Sequence, residues 1–184
     1  MVERKWHDCG NRALLKFFIE LIPPALGVER CSIFILDPED GNVWLQCGTG
    51  VDEKSISVSR LNSIVGEVID TGVPICENNL DNRVGAHDYI ALQTGFFARD
   101  TLCVPVKGVS TQQITGAIQV LNKINPFNDV QKYSPHDHRI LEHMALHIQL
   151  NIEDIYLRQE LGKISIEMSR QIEQMQSKFG CAPK

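Results

Sequence analysis

Three histidines near the C-terminal end come closest to a metal-binding pattern in this sequence. His136, His143 and His147 are separated by seven and four residues, which brings them to nearly the same side of a helix with 3.6 residues per turn. Only His143 and His147, one turn apart, are close enough to share an ion, and the sequence fixes no acidic third ligand. We therefore interpret the three as a polar helix flank and expect no metal.

The thiols are the second set of residues with possible chemistry. Six cysteines stand at positions 9, 31, 47, 76, 103 and 181, without a CxxC pair. Cys47 and Cys103 lie in apolar strand-like runs, where a thiol usually serves as a small buried hydrophobe. A thiol that senses an oxidant or attaches a chromophore is the alternative. The spacing predicts neither a zinc site nor a disulfide framework, and it indicates reduced thiols in a cytoplasmic protein.

Motifs of the common enzyme classes are missing from the sequence. It contains no HExxH, GxSxG, GxxxxGK[ST] or GxGxxG pattern, each of which would place a metal, a nucleophile or a phosphate. We therefore predict that the chain is not an enzyme.

Composition narrows the class of partner. The 184 residues carry 18 basic and 23 acidic side chains, a formal net charge of −5, and are 43% hydrophobic. This length suits one domain with a real core. No cluster of Lys and Arg offers a stripe for phosphate backbones, so nucleic acid is not expected as a partner. No uncharged apolar run of about 18 residues exists, so no membrane partner is expected either.

The pattern of apolar residues predicts one α/β (α+β) domain with a mainly antiparallel sheet. Pro23 and Pro24 are expected to end the first helix, and Gly72 is expected to supply a left-handed residue after the second. The predicted elements are helices over 11–22 and 61–71, strands over 31–36, 43–47, 55–59, 73–76, 101–107 and 114–122, and a helix from 134 almost to the end.

The last helix is unusually long, at about forty residues, and its apolar stripe changes direction. The first stripe, expected to pack on the sheet, is Ile140, Met144, Ile148, Ile152 and Ile155. The second stripe has heptad-like spacing: Leu157, Leu161, Ile164, Met168, Ile172 and Met175. An apolar seam on a projecting helix predicts a homodimer through a parallel coiled coil of the terminal helices. A tail that folds back is the alternative.

Three ordered segments, at residues 29–37, 94–106 and 116–123, resemble consecutive strands of a GAF domain. They are most similar to the GAF modules of cyclic nucleotide phosphodiesterases and related cyclases. The resemblance covers about residues 10–155. It implies a central antiparallel sheet of about six strands, with helices behind it that form the dimer interface and a ligand pocket on the other face. It also implies a sensory module followed by an effector domain.

Phosphodiesterase-type modules also carry an Asn-Lys pair followed at a distance by Phe, three residues and Asp-Glu. Asn122 and Lys123 match the first half, and residues 133–138 best match the second, with Tyr133 in place of Phe and His138 in place of Glu. Lys123 at a strand end and Asp137 in a first helical turn suit a charge-assisted contact. We interpret Asn122, Lys123 and Asp137 as a structural latch.

The resemblance also implies ligand-binding residues. They are Ser32, Cys47, Gly48, Ile64, Val65, His87, Ala91, Thr94, Phe96 and Gln119, roofed by the polar segment 78–93. Similar nucleotide-binding modules have Asp where this chain has Ala91, and Tyr where it has His87. An unpaired purine heteroatom costs about 1–3 kcal/mol. A cyclic nucleotide stays one candidate ligand, but we expect cyclic AMP and cyclic GMP to bind weakly, and a different, largely apolar small molecule is favoured.

The sequence therefore predicts a GAF sensory domain over residues 1–155 and a coiled-coil linker helix over 156–184. The predicted function is regulatory: the domain senses a small molecule, dimerises and relays the ligand state through its C-terminal helix to an effector domain. The alternative is a dimerisation or protein-interaction module with an empty pocket. A third hypothesis, an enzyme that acts on small oxidised molecules, is disfavoured because a redox cysteine pair is missing and the exit helix is long.

Overall fold

A computed structural model describes residues 12–38, 41–50, 56–80, 95–124 and 133–179. Within these ranges the chain forms three helices and six strands. They are α1 (Arg12–Leu26), β1 (Val28–Leu36), β2 (Val43–Gly48), β3 (Ser57–Val58), α2 (Ile64–Thr71), β4 (Ile75–Glu77), β5 (Thr101–Lys107), β6 (Ile114–Lys123) and α3 (Pro135–Phe179).

The six strands form one antiparallel sheet in the order β3-β2-β1-β6-β5-β4. The two predicted hairpins form the main part of the sheet: β1 pairs with β2, and β5 pairs with β6. The long central strands β1 and β6 join the two hairpins. The predicted α+β class and six-stranded antiparallel sheet are thereby confirmed.

Two apolar clusters cover the two faces of the sheet. The α1/α3-side cluster contains side chains of α1, of α3 and of alternate positions on β1, β5 and β6. The α2-side cluster contains Phe34, Leu36, Val43, Leu45, Ile56, Val58, Ile64, Val65, Val68, Ile69, Leu80, Cys103, Ala117 and Tyr156. This division follows from strand geometry, because successive side chains point to opposite faces.

Helix α1 ends later than its prolines predict. It contains Pro23 and Pro24 in its last turn and continues to Leu26, which is buried. Gly27 then adopts φ +60°, the left-handed conformation that ends helices. The lost proline N–H groups are offset by burial of Ile22 and Leu26 in the α1/α3-side cluster.

Helix α2 is defined by its caps. The Ser63 hydroxyl accepts a hydrogen bond from the Gly66 amide at 3.0 Å, and Gly72, with φ 67°, donates to the Val68 carbonyl. Gly66 has a further reason to be glycine, since a Cβ there would collide with the Arg60 backbone. The preceding loop can therefore pack directly on the helix.

Helix α3 packs only its first half against the sheet. Its buried residues there include Leu141, Ala145, Ile148, Ile152 and Ile155, whereas the predicted Ile140 and Met144 are only half-buried at the edge of the cluster. The predicted stripe thus packs on the sheet side throughout, although Leu141 and Ala145 are more deeply buried than Ile140 and Met144. In the described part of the chain, no helix is both long and apolar enough to cross a bilayer.

Candidate functional site

Strand register places a row of small and polar side chains across the α2 side of the sheet. Ser32 on β1 pairs with Gly48 on one side and with Gln119 on the other, and Gln119 pairs in turn with Cys103. Direct partners in an antiparallel pair share a face. Gln119 donates to the Thr101 hydroxyl at 3.2 Å. A hydroxyl, an amide and a glycine therefore interrupt an otherwise apolar surface.

Cys47 does not join this row. Ile33 pairs with Cys47 and Phe34 pairs with Leu45, so Gln46 is an extra residue and β2 contains a bulge. An extra residue reverses the alternation of side chains. Leu45 accordingly lies in the α2-side cluster, whereas the Cys47 side chain packs against the α1/α3-side cluster. The Cys47 side chain therefore lies on the opposite face of the sheet from Ser32, and its role in ligand binding stays a prediction.

Helix α2 supplies one wall above the row. Ile64 and Val65 in its first turn are buried in the α2-side cluster, so their side chains pack in the core. The Ser63 hydroxyl caps the N-terminus of the helix by accepting from the Gly66 amide. The same hydroxyl donates to the Ser59 carbonyl at 2.6 Å. Glu67 adds a negative charge to the first turn.

The segment leading into β5 closes another side. Ala98 packs against the α2-side cluster, and Leu80 donates its amide to the Arg99 carbonyl at 2.9 Å. The ring of Phe96 lies under the Arg30 guanidinium, whose central carbon is 3.8 Å from the ring centroid. His87, Ala91, Thr94 and most of the predicted roof lie outside the described residues.

The structure brings the three latch residues together at the end of β6. Lys123 Nζ lies 2.8 Å from Asp137 Oδ1 and 2.5 Å from the Leu26 carbonyl oxygen. Asp137 Oδ2 accepts from the Ser134 amide and hydroxyl at 2.8 and 2.9 Å. Burial alone would raise the pKa of Asp137, but the bonds from Lys123 and Ser134 outweigh it and lower the pKa. One ion pair thus joins β6, α1 and α3.

Asn122 organises the opposite side of the same strand end. It is buried and has φ 58°, a left-handed conformation that Asn tolerates better than most residues. Its amide oxygen accepts from the Arg99 amide at 2.7 Å, and its amide nitrogen donates to Glu29 and to the Phe97 carbonyl, both at 2.9 Å. Asn122 therefore fixes residues 97–99 against β1.

A third polar anchor, Glu153, was missed by the sequence analysis. This buried carboxylate on α3 accepts from the amides of Val109, Ser110 and Thr111 and from the Thr111 hydroxyl, at 2.8–3.1 Å. Hydrogen bonding to Thr111 is the main cause that lowers the pKa of Glu153. A Cβ at Gly108 would collide with the Glu153 carboxylate. The sequence signal that could have indicated this anchor is the position of Glu153, an acidic residue beside the apolar stripe of the helix.

Tyr156 lies one turn beyond Ile152 and reaches the other face of the sheet. It is buried in the α2-side cluster, where it is the sole α3 member among the described residues. Its hydroxyl lies 3.5 Å from the Gln113 side chain in the β5–β6 turn. Helix α3 therefore contacts both clusters where it leaves the sheet.

Burial raises the pKa of three described thiols, so these are not activated. Cys31 and Cys103 are fully buried, and burial raises the pKa of each thiol well above its usual range. Burial also raises the pKa of half-buried Cys76. His147 stacks on Phe18, with ring centroids 6.5 Å apart. Across the described ranges, no group of three or more His, Cys, Asp and Glu side chains is placed to hold a metal.

The sheet has the terminal helices on one face and a capped helix above a polar row on the other. The sequence that forms this fold matches a known family model. The GAF domain model matches residues 12–152. The chain belongs to the GAF family. GAF domains are generally regulatory, so the coarser prediction of a regulatory, sensory module is confirmed.

Solved GAF structures share this fold. The GAF domain of an Acinetobacter phosphoenolpyruvate-protein phosphotransferase is 19% identical, with 83% of this chain and 85% of that chain covered and a TM-score of 0.62. The GAF domain of a Bacillus halodurans two-component sensor histidine kinase is 17% identical, with 78% and 97% covered and a TM-score of 0.57. A free methionine-R-sulfoxide reductase from Thermoplasma acidophilum is 10% identical, with 79% and 94% covered and a TM-score of 0.61.

Proposed function

We propose that this GAF domain senses a small molecule, forms a homodimer through its terminal helices, and relays the ligand state through α3 to an effector domain. Similar GAF domains belong to a phosphotransferase and a sensor histidine kinase, both of which have activities to regulate. The low reactivity of the buried thiols supports a sensory rather than a catalytic domain, although one structural neighbour is a reductase.

The observation that carries the relay is the position of Tyr156. Its ring packs in the α2-side cluster together with Ile64 and Val65 of the proposed ligand wall. Three residues earlier, Glu153 holds the same helix to the β5–β6 turn. Because cores are close-packed, a shift of α2 on ligand binding is felt by Tyr156. The exit helix thus shares an apolar cluster with the ligand wall, and we propose that it reports the state of the ligand face through this cluster.

The dimer proposal depends on exposed apolar side chains along α3. The predicted seam is exposed throughout and continues toward the N-terminus of the helix through Leu146 and Leu150. Helix α1 adds the exposed Leu14, Phe17 and Leu21. Apolar patches of this size mark association surfaces. We propose that both helices contribute to the homodimer and that the linker helix begins after Tyr156.

The ligand is proposed to lie over the row of Ser32, Gly48 and Gln119. We expect cyclic AMP and cyclic GMP to bind weakly, because Ala91 replaces an acid that would pair with the purine. Cys31, Cys76 and Cys103 are not in disulfides, which supports the proposed cytoplasmic location, where thiols stay reduced.

A thermal-shift screen of small metabolites, followed by calorimetry, tests the sensing function. A ligand present at a hundred times its Kd should stabilise the domain by about 2.7 kcal/mol. Absence of any stabilising compound would favour the empty interaction module. Submicromolar binding of either cyclic nucleotide would restore the phosphodiesterase-like ligand.

Hydrogen exchange tests the relay once a ligand is found. The ligand should slow exchange around residues 153–165 in the native chain, and the substitution Tyr156→Ala should abolish this effect while most of the affinity remains. Ser165→Ala, exposed on the same helix and outside both the cluster and the seam, is the control. An undiminished effect in Tyr156→Ala would exclude this contact as the route.

A further inference from the structure

The Arg30–Phe96 pair is a polar feature that the ligand row does not include. Arg30 lies two residues before Ser32 on β1, so both side chains emerge on the same face of the sheet. Two residues of strand span about 6.6 Å. The guanidinium therefore lies at one end of the row of Ser32, Gly48 and Gln119, next to a candidate wall residue, Phe96.

Among the described residues the Arg30 guanidinium forms no ion pair. It lies over the Phe96 ring, and it attracts the adjacent Glu29 carboxylate electrostatically without a direct bond. The Glu29 carboxylate accepts hydrogen bonds from the Arg99 guanidinium at 2.7 Å and from the Asn122 amide nitrogen at 2.9 Å. Glu77 lies on the same face, but Leu121 and Thr101 stand between it and Arg30 in the register of β1, β6, β5 and β4.

Stacking prepares a guanidinium for an anion. The guanidinium carbon of Arg30 lies 3.8 Å from the ring centroid. A guanidinium that stacks on a ring keeps its N–H donors at its edge, in a fork that matches a carboxylate or a phosphate. The ring also restricts the side chain, so less rotamer freedom is lost when an anion binds. The half-buried position raises the strength of such a bond above that of a fully solvated one.

We infer that the proposed ligand is a small organic oxyanion whose carboxylate or phosphate group is bound by Arg30. Its uncharged part lies over Ser32, Gln119 and Gly48. This inference rests on the proposed sensing function and modifies its ligand: the apolar molecule that the sequence favours carries an anionic group at one end. Arg30 is then a binding residue and Phe96 a positioning residue.

The test observes Arg30 directly by NMR in the full chain labelled with ¹⁵N-arginine. The Nε–H signal of Arg30 is assigned by its loss in Arg30→Lys. Phenyl phosphate, benzoate and the uncharged benzyl alcohol are the probes. We expect this signal to shift saturably with phenyl phosphate, benzoate or both, and not with benzyl alcohol. The relative affinity of the first two distinguishes a phosphate site from a carboxylate site.

Variants show whether the binding depends on Arg30. Arg30→Gln should weaken binding of the anionic probe about tenfold or more, as expected for a lost charge-assisted bond, and Phe96→Leu should weaken it less. Arg139→Gln removes the same charge from an exposed position on α3 and should leave the affinity unchanged. Probe binding in these variants is measured by calorimetry.

Any one of three results would overturn the inference. The first is saturation by benzyl alcohol that equals that of the anions, and the second is an unchanged affinity in Arg30→Gln. The third is the absence of any saturable shift with all three probes. With any of these results, a metabolite found by the thermal-shift screen would still support the sensing function. An empty screen with a positive Arg30 titration would mean only that none of the screened compounds is the ligand.

Discussion

The two halves of α3 differ in what surrounds them. Up to Tyr156 the helix buries one apolar face against the sheet. Carboxylates near the two ends of this half, Asp137 and Glu153, are held by β6 and by the β5–β6 turn. From Leu157 onward its apolar residues are exposed, and Lys163 donates to the Pro38 carbonyl at 2.9 Å. The first half is stabilised by tertiary packing, whereas the second half depends on continuity with it and, in the proposed dimer, on a partner helix.

The largest effect should separate the two halves by core truncation. Ile152→Ala removes a fully buried side chain and should lower the free energy of unfolding by about 2–5 kcal/mol. Ile164→Ala, on the exposed half, should change it by no more than about 0.5 kcal/mol at concentrations where the chain is monomeric. Chemical denaturation measures both. Equal losses would mean that the second half packs against its own chain.

The Glu153 anchor should give the next largest effect. Glu153→Gln places an amide N–H₂ among backbone donors and should cost about 2–3 kcal/mol. Because the folded pKa is lowered from 4.5, the ionised carboxylate stabilises the fold above about pH 4.5 and loses this contribution as pH falls toward the folded pKa. The variant should therefore show a flatter decline of stability in acid.

The exposed Glu142→Gln on the same half of α3 is the matched control for Glu153 and should change the free energy of unfolding by no more than about 0.5 kcal/mol. If Glu153→Gln were as stable as this control, the hydrogen bonds from the turn would contribute nothing to α3.

The latch should give a smaller effect. A double-mutant cycle with Lys123→Met and Asp137→Asn should yield a coupling energy of about 1–2 kcal/mol, because both side chains are only about one-tenth exposed. A coupling of zero would mean that the ion pair holds neither α1 nor α3. The lowered pKa of Asp137 predicts that the coupling disappears as the carboxyl is protonated in acid.

The smallest effect on folding should come from the seam, although its effect on mass should be large. Leu161→Glu with Met168→Glu should convert a dimer to a monomer in sedimentation, while the domain keeps its unfolding free energy within about 0.5 kcal/mol. Gly162→Glu with Ser169→Glu has the same spacing and charge one position away, and should remain dimeric. An unchanged dimer mass in the first pair would reject the coiled coil.

Local patterns predicted the elements well, since alternation and caps act over few residues. The bounds predicted for β5 coincide with those observed, and Gly72 ends α2 as expected. The bulge at Gln46 was not predictable, because an apolar pattern does not reveal an extra residue opposite a partner strand. The partners of Glu153 lie 42–44 residues away in sequence, beyond the reach of any periodicity. The last turn of α1 was missed because the burial of Leu26 outweighs local proline chemistry.

For the candidate site, the sequence predicted which residues take part but not on which face of the sheet each side chain lies. The polar row depends on the pairing of Ser32 with Gln119, which joins β1 to β6 between the two hairpins, so no hairpin turn determines it. The position of Cys47 depends on the bulge, and the pairing of Arg30 with Phe96 depends on how residues 95–100 return to the sheet. Such contacts require the three-dimensional fold.

The burial of Tyr156 in the α2-side cluster also has a consequence that runs from the helix to the ligand. Coupling between two sites is reciprocal in free energy, so whatever restrains α3 must change ligand affinity by the same factor with which the ligand changes that restraint. An effector joined to this helix would therefore set the concentration at which the sensor responds. One sensor sequence could serve different ligand concentrations, according to the load on its exit helix.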